Sequence, residues 1–214
     1  MNIIYAFRPF DRVNILVKET VEDLTTWLDE NEIAYRLLGG YFIRKNVALA
    51  LASPSPLTII IGHGRASSYV GSSLIGLYHD GFGAITSLND SVLGKSDIVV
   101  AMSCYTLNEL GKKAIESGTK AFIGWKSRLL GNIQDLDQDE VIDVIDTLTV
   151  IPKCLLMGYT IKESVDMFKE ACDYYINICK NSDMCETEYY KVMQHNKECV
   201  GYLGDDNIKL EALA

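Results

Sequence analysis

The sequence predicts an α/β fold: a mainly parallel β-sheet of about five or six strands, flanked by helices on both faces. Three observations carry that expectation. Short β-branched runs alternate with helical patterns along the 214 residues. Two of the runs, residues 57–62 (LTIIIG) and 97–103 (DIVVAMS), are almost continuously apolar at strand length, as strands buried on both faces must be. The second run is followed by a helical pattern and then another short apolar run, which makes one βαβ unit.

The elements follow in order. Residues 2–7 read as the first strand. A helix is expected from about Thr20, which can cap it, with Asp23 at the third helical position and Val21, Leu24 and Leu28 on one face. Residues 35–38 read as a second strand, ended by Gly39 and Gly40. The two central strands come next. The roughly 30-residue connection between them contains Tyr78-His79-Asp80-Gly81-Phe82-Gly83, whose Asp-Gly signal predicts a small hairpin over one edge of the sheet. After the second central strand, Leu107, Leu110, Gly111, Ala114 and Ile115 share a helical face closed by Gly118, and residues 120–125 form a further strand. Val141, Val144, Ile145 and Leu148 mark another helix, whose start is favoured by Asp135, Asp137, Asp139 and Glu140. Ile161, Val165, Phe168, Cys172, Ile176 and Cys179 mark a longer one. The last 30 residues are polar and poorly patterned. No repeat or linker divides the chain, so residues 1–214 read as a single domain.

Composition narrows the function classes. A formal charge of -9 and a pI near 4.8 argue against an extended nucleic-acid surface, since that affinity comes from Lys and Arg replacing counterions. The same field suits a basic substrate or partner. The longest apolar stretch, residues 47–61, is broken by Ser53, Pro54, Ser55 and Pro56, so no membrane span is expected. The opening MNIIYAFRPFDR places its charges after a short apolar run, the reverse of a secretory signal. Six cysteines (104, 154, 172, 179, 185 and 199) without dense spacing suggest reduced thiols and a cytoplasmic setting. Cys172, Cys179, Cys185, His195 and Cys199 are metal-ligating types, but no tight Cys-x-x-Cys pair joins them, and neither metal nor organic cofactor is expected.

Each central strand runs into a reactive residue: TIIIG into His63, and VVAMS into Cys104. Ligands of open parallel sheets sit at the carboxyl ends of the strands, where both side chains arrive. A thiol attacks a carbonyl as thiolate, and an imidazole is the usual means of generating it near neutral pH. Gly62 and Gly64 flank His63 and let a substrate backbone approach closely. The Gly64 and Cys104 amides are candidate oxyanion donors, each typically worth roughly 3 kcal/mol of barrier. A helix beginning near Thr106 or Leu107 would set its positive end beside the thiol.

These two strand-end pairs, His63-Gly64 and Ser103-Cys104, resemble the catalytic signature of the caspase-like (clan CD) cysteine peptidases, the group of legumains, clostripains, gingipains, separases and bacterial CHAT proteases. The segments GFGAITSLND, AFIGW and LLMGYTIKESVDMF are similar to the bacterial members, and the resemblance covers residues 57–180. It implies the caspase-like fold, a Cys104–His63 dyad and the Gly64 amide in the oxyanion hole. The Gln-Ala-Cys-x-Gly signature of true caspases is absent, with Ala101-Met102-Ser103-Cys104-Tyr105 in its place, so specificity for aspartate is not implied. By analogy with gingipain-like sites Trp125 is a pocket wall, and Asp80 and Ser103 complete the candidate substrate contacts.

The expected activity is peptide-bond cleavage on a peptide or protein substrate, under the control of an activating partner, a loop rearrangement or self-cleavage. Two other readings accompany it: a non-catalytic scaffold of the same fold that binds a peptide or partner, and a thiol hydrolase acting on a non-peptide amide or ester.

Overall fold

In the computed structural model, the residues described are 1–6, 13–40, 51–62, 64–66, 73–75, 85–86, 90–129, 135–182, 184 and 187–210. Their frame is a six-stranded sheet in the order β2-β1-β3-β7-β8-β9. β1 (Asn2–Ala6), β2 (Arg36–Gly40), β3 (Ser55–Ile61), β7 (Ser96–Met102) and β8 (Ala121–Trp125) run parallel, and β9 (Val200–Gly204) closes the β8 edge antiparallel, with Val200 opposite Trp125. The α/β expectation therefore holds at the level of a mostly parallel sheet with helices.

Alternation along the strands sorts the core into two layers. Ile3, Leu57, Ile59, Ile61, Ile98, Val100 and Met102 join one cluster with residues of α1 (Val13–Glu30), α3 (Gln138–Leu156), α4 (Ile161–Asn181) and α5 (Glu188–Cys199). Ile4, Ile60, Val99, Ala101 and Phe122 join the other, with Leu110 and Ala114 of α2 (Glu109–Glu116). Successive side chains on a strand point to opposite faces, so the central runs are apolar at almost every position to satisfy both layers, and the buried Thr58 and Ser96 hydroxyls pair with each other at 2.7 Å.

The first helix and the carboxyl-terminal region differ from the sequence expectation, and β2 runs through Gly39 and Gly40, which were expected to end it. The first helix begins at Val13, and Thr20 lies within it, 1% exposed, its hydroxyl unpartnered. Leu16 and Val17 extend the face of Val21, Leu24 and Leu28 by a turn, and burying them outweighs the capping preference of one threonine. The carboxyl-terminal region is also structured. In α5, Tyr189, Val192, Met193 and Asn196 are buried at helical spacing, which a tyrosine and an asparagine on the apolar face disguise in a hydropathy reading.

Capping boxes start α3 (Asp137 with Glu140) and α4 (Thr160 with Glu163). Between β3 and β7 lies a small antiparallel sheet of β4 (Gly64–Ala66), β5 (Ser73–Ile75) and β6 (Ile85–Thr86). The hairpin expected at residues 78–83 falls between β5 and β6 and lies outside the described residues. Among the described residues, no helix is long and apolar enough to cross a membrane.

The helical layer contains weak acids that folding keeps protonated. Tyr189 donates to Asp143 Oδ2 at 2.7 Å, tying α5 to α3. Burial, then Asp143, raise Tyr189 above the usual tyrosine range and push Tyr175 up to about 12, while burial pushes Cys172 up to about 12. A group that binds its proton more tightly when folded gives its full stability below its unfolded pKa and loses it as pH rises through the folded value. The melting temperature followed by circular dichroism should therefore begin to fall near pH 9, as the unfolded thiol and phenols start to ionise, and keep falling to about 12.

Candidate active site

The ends of β3 and β7 define the site. The two strands are immediate neighbours, parallel, and in register with Ile61 opposite Met102, so they finish level. The Gly62 amide donates to the Met102 carbonyl at 3.3 Å and carries the pairing one step beyond both strands. His63 follows Gly62 in sequence, as Cys104 follows Ser103; His63 and Asp80 lie outside the described residues. Gly64 is within β4, opposite Ile75.

Beyond β7 the chain turns sharply. The Ser103 amide donates to the Ala101 carbonyl at 2.9 Å, and Tyr105 adopts φ 61, in the left-handed region that a bulky residue occupies at a cost of about 1–3 kcal/mol. Such strain persists where surrounding contacts over-determine the conformation, and they do so here. The Tyr105 amide donates to Ser127 O (2.8 Å), the Leu107 amide to Trp125 O (3.1 Å), and Asn108 Nδ2 to Lys126 O (3.2 Å). At the centre, the buried Thr106 hydroxyl reaches Ala101 O at 3.1 Å and Ser103 O at 3.0 Å, and accepts from the Trp125 amide at 3.3 Å. The turn is thus fastened to β8 and its extension. Gly124 completes the fit, since a Cβ there would meet Thr106 Oγ1 at 2.6 Å.

Cys104 emerges from this turn half-buried. Its Sγ accepts a hydrogen bond from the Leu129 amide at 3.3 Å, and its thiol faces the Leu129 carbonyl at 3.7 Å. Among the described residues, no hydrogen bond engages the Cys104 amide. The expected helix start at Thr106 or Leu107 is corrected: α2 begins at Glu109, beyond the turn built on Thr106. Its dipole, which fades within the first turn, is not set directly against the thiol.

The remaining site residues are buried. Trp125 is 0% exposed, its ring edge-to-face with Phe168 of α4 at a centroid distance of 5.8 Å, and its indole N–H has no partner. It sits at an inward-facing strand position over the α4 layer and presents no surface to a ligand. Ser103, 0% exposed with an unpartnered hydroxyl, is closed in the same way beneath the turn. Cys172 and Cys179 are core thiols. No group of three or more His, Cys, Asp or Glu among the described residues can hold a metal ion.

The sequence reading missed the roles of three residues. Thr106 was legible as a hydroxyl in a strand-to-helix turn, the position at which such side chains bond nearby carbonyls. His195 and Cys199 stand four apart on α5, hence on one helix face, with Cys199 Sγ 3.5 Å from His195 Nε2. They adjoin the segment that holds Cys104.

Thr106→Val tests the turn directly. It keeps the shape but leaves the Trp125 amide without its acceptor and removes the hydroxyl that donates toward the Ala101 and Ser103 carbonyls. It should cost about 1–3 kcal/mol in urea unfolding, whereas Thr106→Ser should cost clearly less. No family model matches the chain, and no curated protein matches it at a significant level.

Proposed function

We propose that the chain is a caspase-like cysteine endopeptidase with Cys104 as nucleophile and His63 as its base. The observation that carries this reading is the pair of adjacent parallel strands that finish level, one of them leading into a half-buried cysteine on a strained, heavily fastened turn. In the sequence, His63 follows Ile61 by two residues and Cys104 follows Met102 by two, and Ile61 and Met102 are register partners.

In the reaction, His63 takes the Cys104 proton, and the sulfur attacks the scissile carbonyl carbon. The carbonyl oxygen, now negative, is met by the Gly64 and Cys104 amides. The carbon–nitrogen bond breaks as His63 returns the proton to the leaving amine. Water, deprotonated by His63, then attacks the thioester; the acid product leaves and the thiol is regenerated. No disulfide joins the described cysteines, which suits a reducing compartment such as the cytoplasm. A protease acting there needs restraint, so an activating protein partner belongs to the proposal, while nucleic acid and membrane do not.

The test is turnover of a diverse peptide mixture by the wild type, Cys104→Ala and His63→Ala, read by mass spectrometry. New cleavage products from the wild type alone support the reading. Identical peptide profiles, with turnover of simple thioesters, esters or amides that depends on Cys104, would replace the peptidase with a non-peptide hydrolase. Peptide binding without turnover would leave a scaffold.

A further inference from the structure

We propose that His195 is a positioning residue for the Cys104 thiol, acting through one peptide group. His195 Nε2 lies 2.8 Å from the Arg128 carbonyl oxygen, and the Leu129 amide donates to Cys104 Sγ at 3.3 Å. That carbonyl and that amide belong to the same peptide bond, which is trans, since the described chain contains no cis bonds. A trans peptide is planar, with its C=O and N–H pointing in opposite directions. Fixing the oxygen from one side therefore aims the hydrogen at the sulfur on the other.

The chemistry sets the proton. A carbonyl only accepts, so Nε2 carries the hydrogen and donates it. Donation to the oxygen also polarises the peptide and strengthens its N–H as a donor, by roughly 10–30%. The flanking residues are held in the same alternating manner. The Lys126 amide donates to Cys199 O at 2.8 Å, on the α5 side, and the Ser127 carbonyl accepts from Tyr105 at 2.8 Å, on the Cys104 side. Cys199 Sγ lies 3.5 Å from His195 Nε2, four residues away on the same helix. The segment from Lys126 to Leu129 thus links the end of α5 to the cysteine turn. The role in turnover rests on Cys104 being the nucleophile; the positioning itself does not.

The experiment measures the rate of Cys104 alkylation by iodoacetamide, resolved from the other thiols by peptide mapping, in folded wild type, His195→Ala, His195→Gln and His195→Asn. Loss of the imidazole donor should slow Cys104 alkylation roughly fivefold in the alanine variant, because the thiolate loses its aligned amide donor. Glutamine reaches the Arg128 carbonyl with an N–H and should recover the rate to within about twofold, while the shorter asparagine should stay slow. A rate in the alanine or asparagine variant equal to or above that of wild type overturns the proposal, as does a glutamine variant as slow as asparagine. Should His195→Ala fail to fold, the glutamine–asparagine pair decides alone. Alkylation needs no substrate, so a chain that cleaves nothing still answers, and a working peptidase whose thiol ignores His195 overturns this inference alone.

Discussion

Cys104→Ala is expected to abolish peptide hydrolysis, lowering kcat/KM by roughly 10⁴-fold or more, because a covalent route without its nucleophile retains only the contribution of binding and oxyanion stabilisation. The fold should hardly notice. Cys104 is half-buried and, among the described residues, its Sγ engages the Leu129 backbone, so the change should remain within about 1 kcal/mol in urea unfolding. That contrast separates a catalytic thiol from the packed ones: Cys172, wholly buried and with a thiol raised to about 12, should be inert to alkylation at neutral pH and costly to shorten. His63→Ala should lower turnover by roughly 10²- to 10⁴-fold, the usual range for a general acid–base. Initial rates on a fluorogenic peptide, beside unfolding midpoints for each variant, check both effects.

Trp125→Ala should instead be a stability variant, costing about 3–5 kcal/mol, the range for deleting a large buried aromatic. Trp125 fills the space between the end of β8 and Phe168 and is 0% exposed, so alanine would leave a cavity that a six-stranded sheet cannot close. Trp125→Phe should lose much less, and lose nothing in hydrogen bonding, because the indole N–H is already unpartnered. Guanidinium unfolding midpoints read the difference. A Trp125→Ala variant of wild-type stability with a raised KM would return this residue to the pocket wall that the family resemblance implies.

The central strands were legible because the chemistry of a doubly covered strand admits almost only apolar residues, so LTIII and DIVVAM stand out without any partner being known. Cys104 was legible for the same reason, as the polar break at the end of such a run. Strand adjacency was not, since periodicity says nothing about which strands pair; the structure supplies it as β3 beside β7. The start of α1 was misread because Thr20 looks like a cap, and only the buried stripe running back to Leu16 shows that it is not. The carboxyl-terminal helix was missed because its buried face carries Tyr189, satisfied by Asp143, and Asn196, which lower its apparent hydrophobicity. Of the supports of the thiol, Thr106 acts through a hydroxyl that the sequence displays, whereas the Arg128–Leu129 peptide acts through backbone groups, which leave no residue-type signature at their own positions.

The central proposal, an activated Cys104–His63 pair, is tested most directly by mapping a peptidyl electrophile onto the wild type and His63→Ala by mass spectrometry, with Cys104→Ala as control. Labelling confined to Cys104 in the wild type, falling at least roughly tenfold without His63, is the predicted result. Labelling spread evenly over the six cysteines, or unchanged by loss of His63, would contradict it.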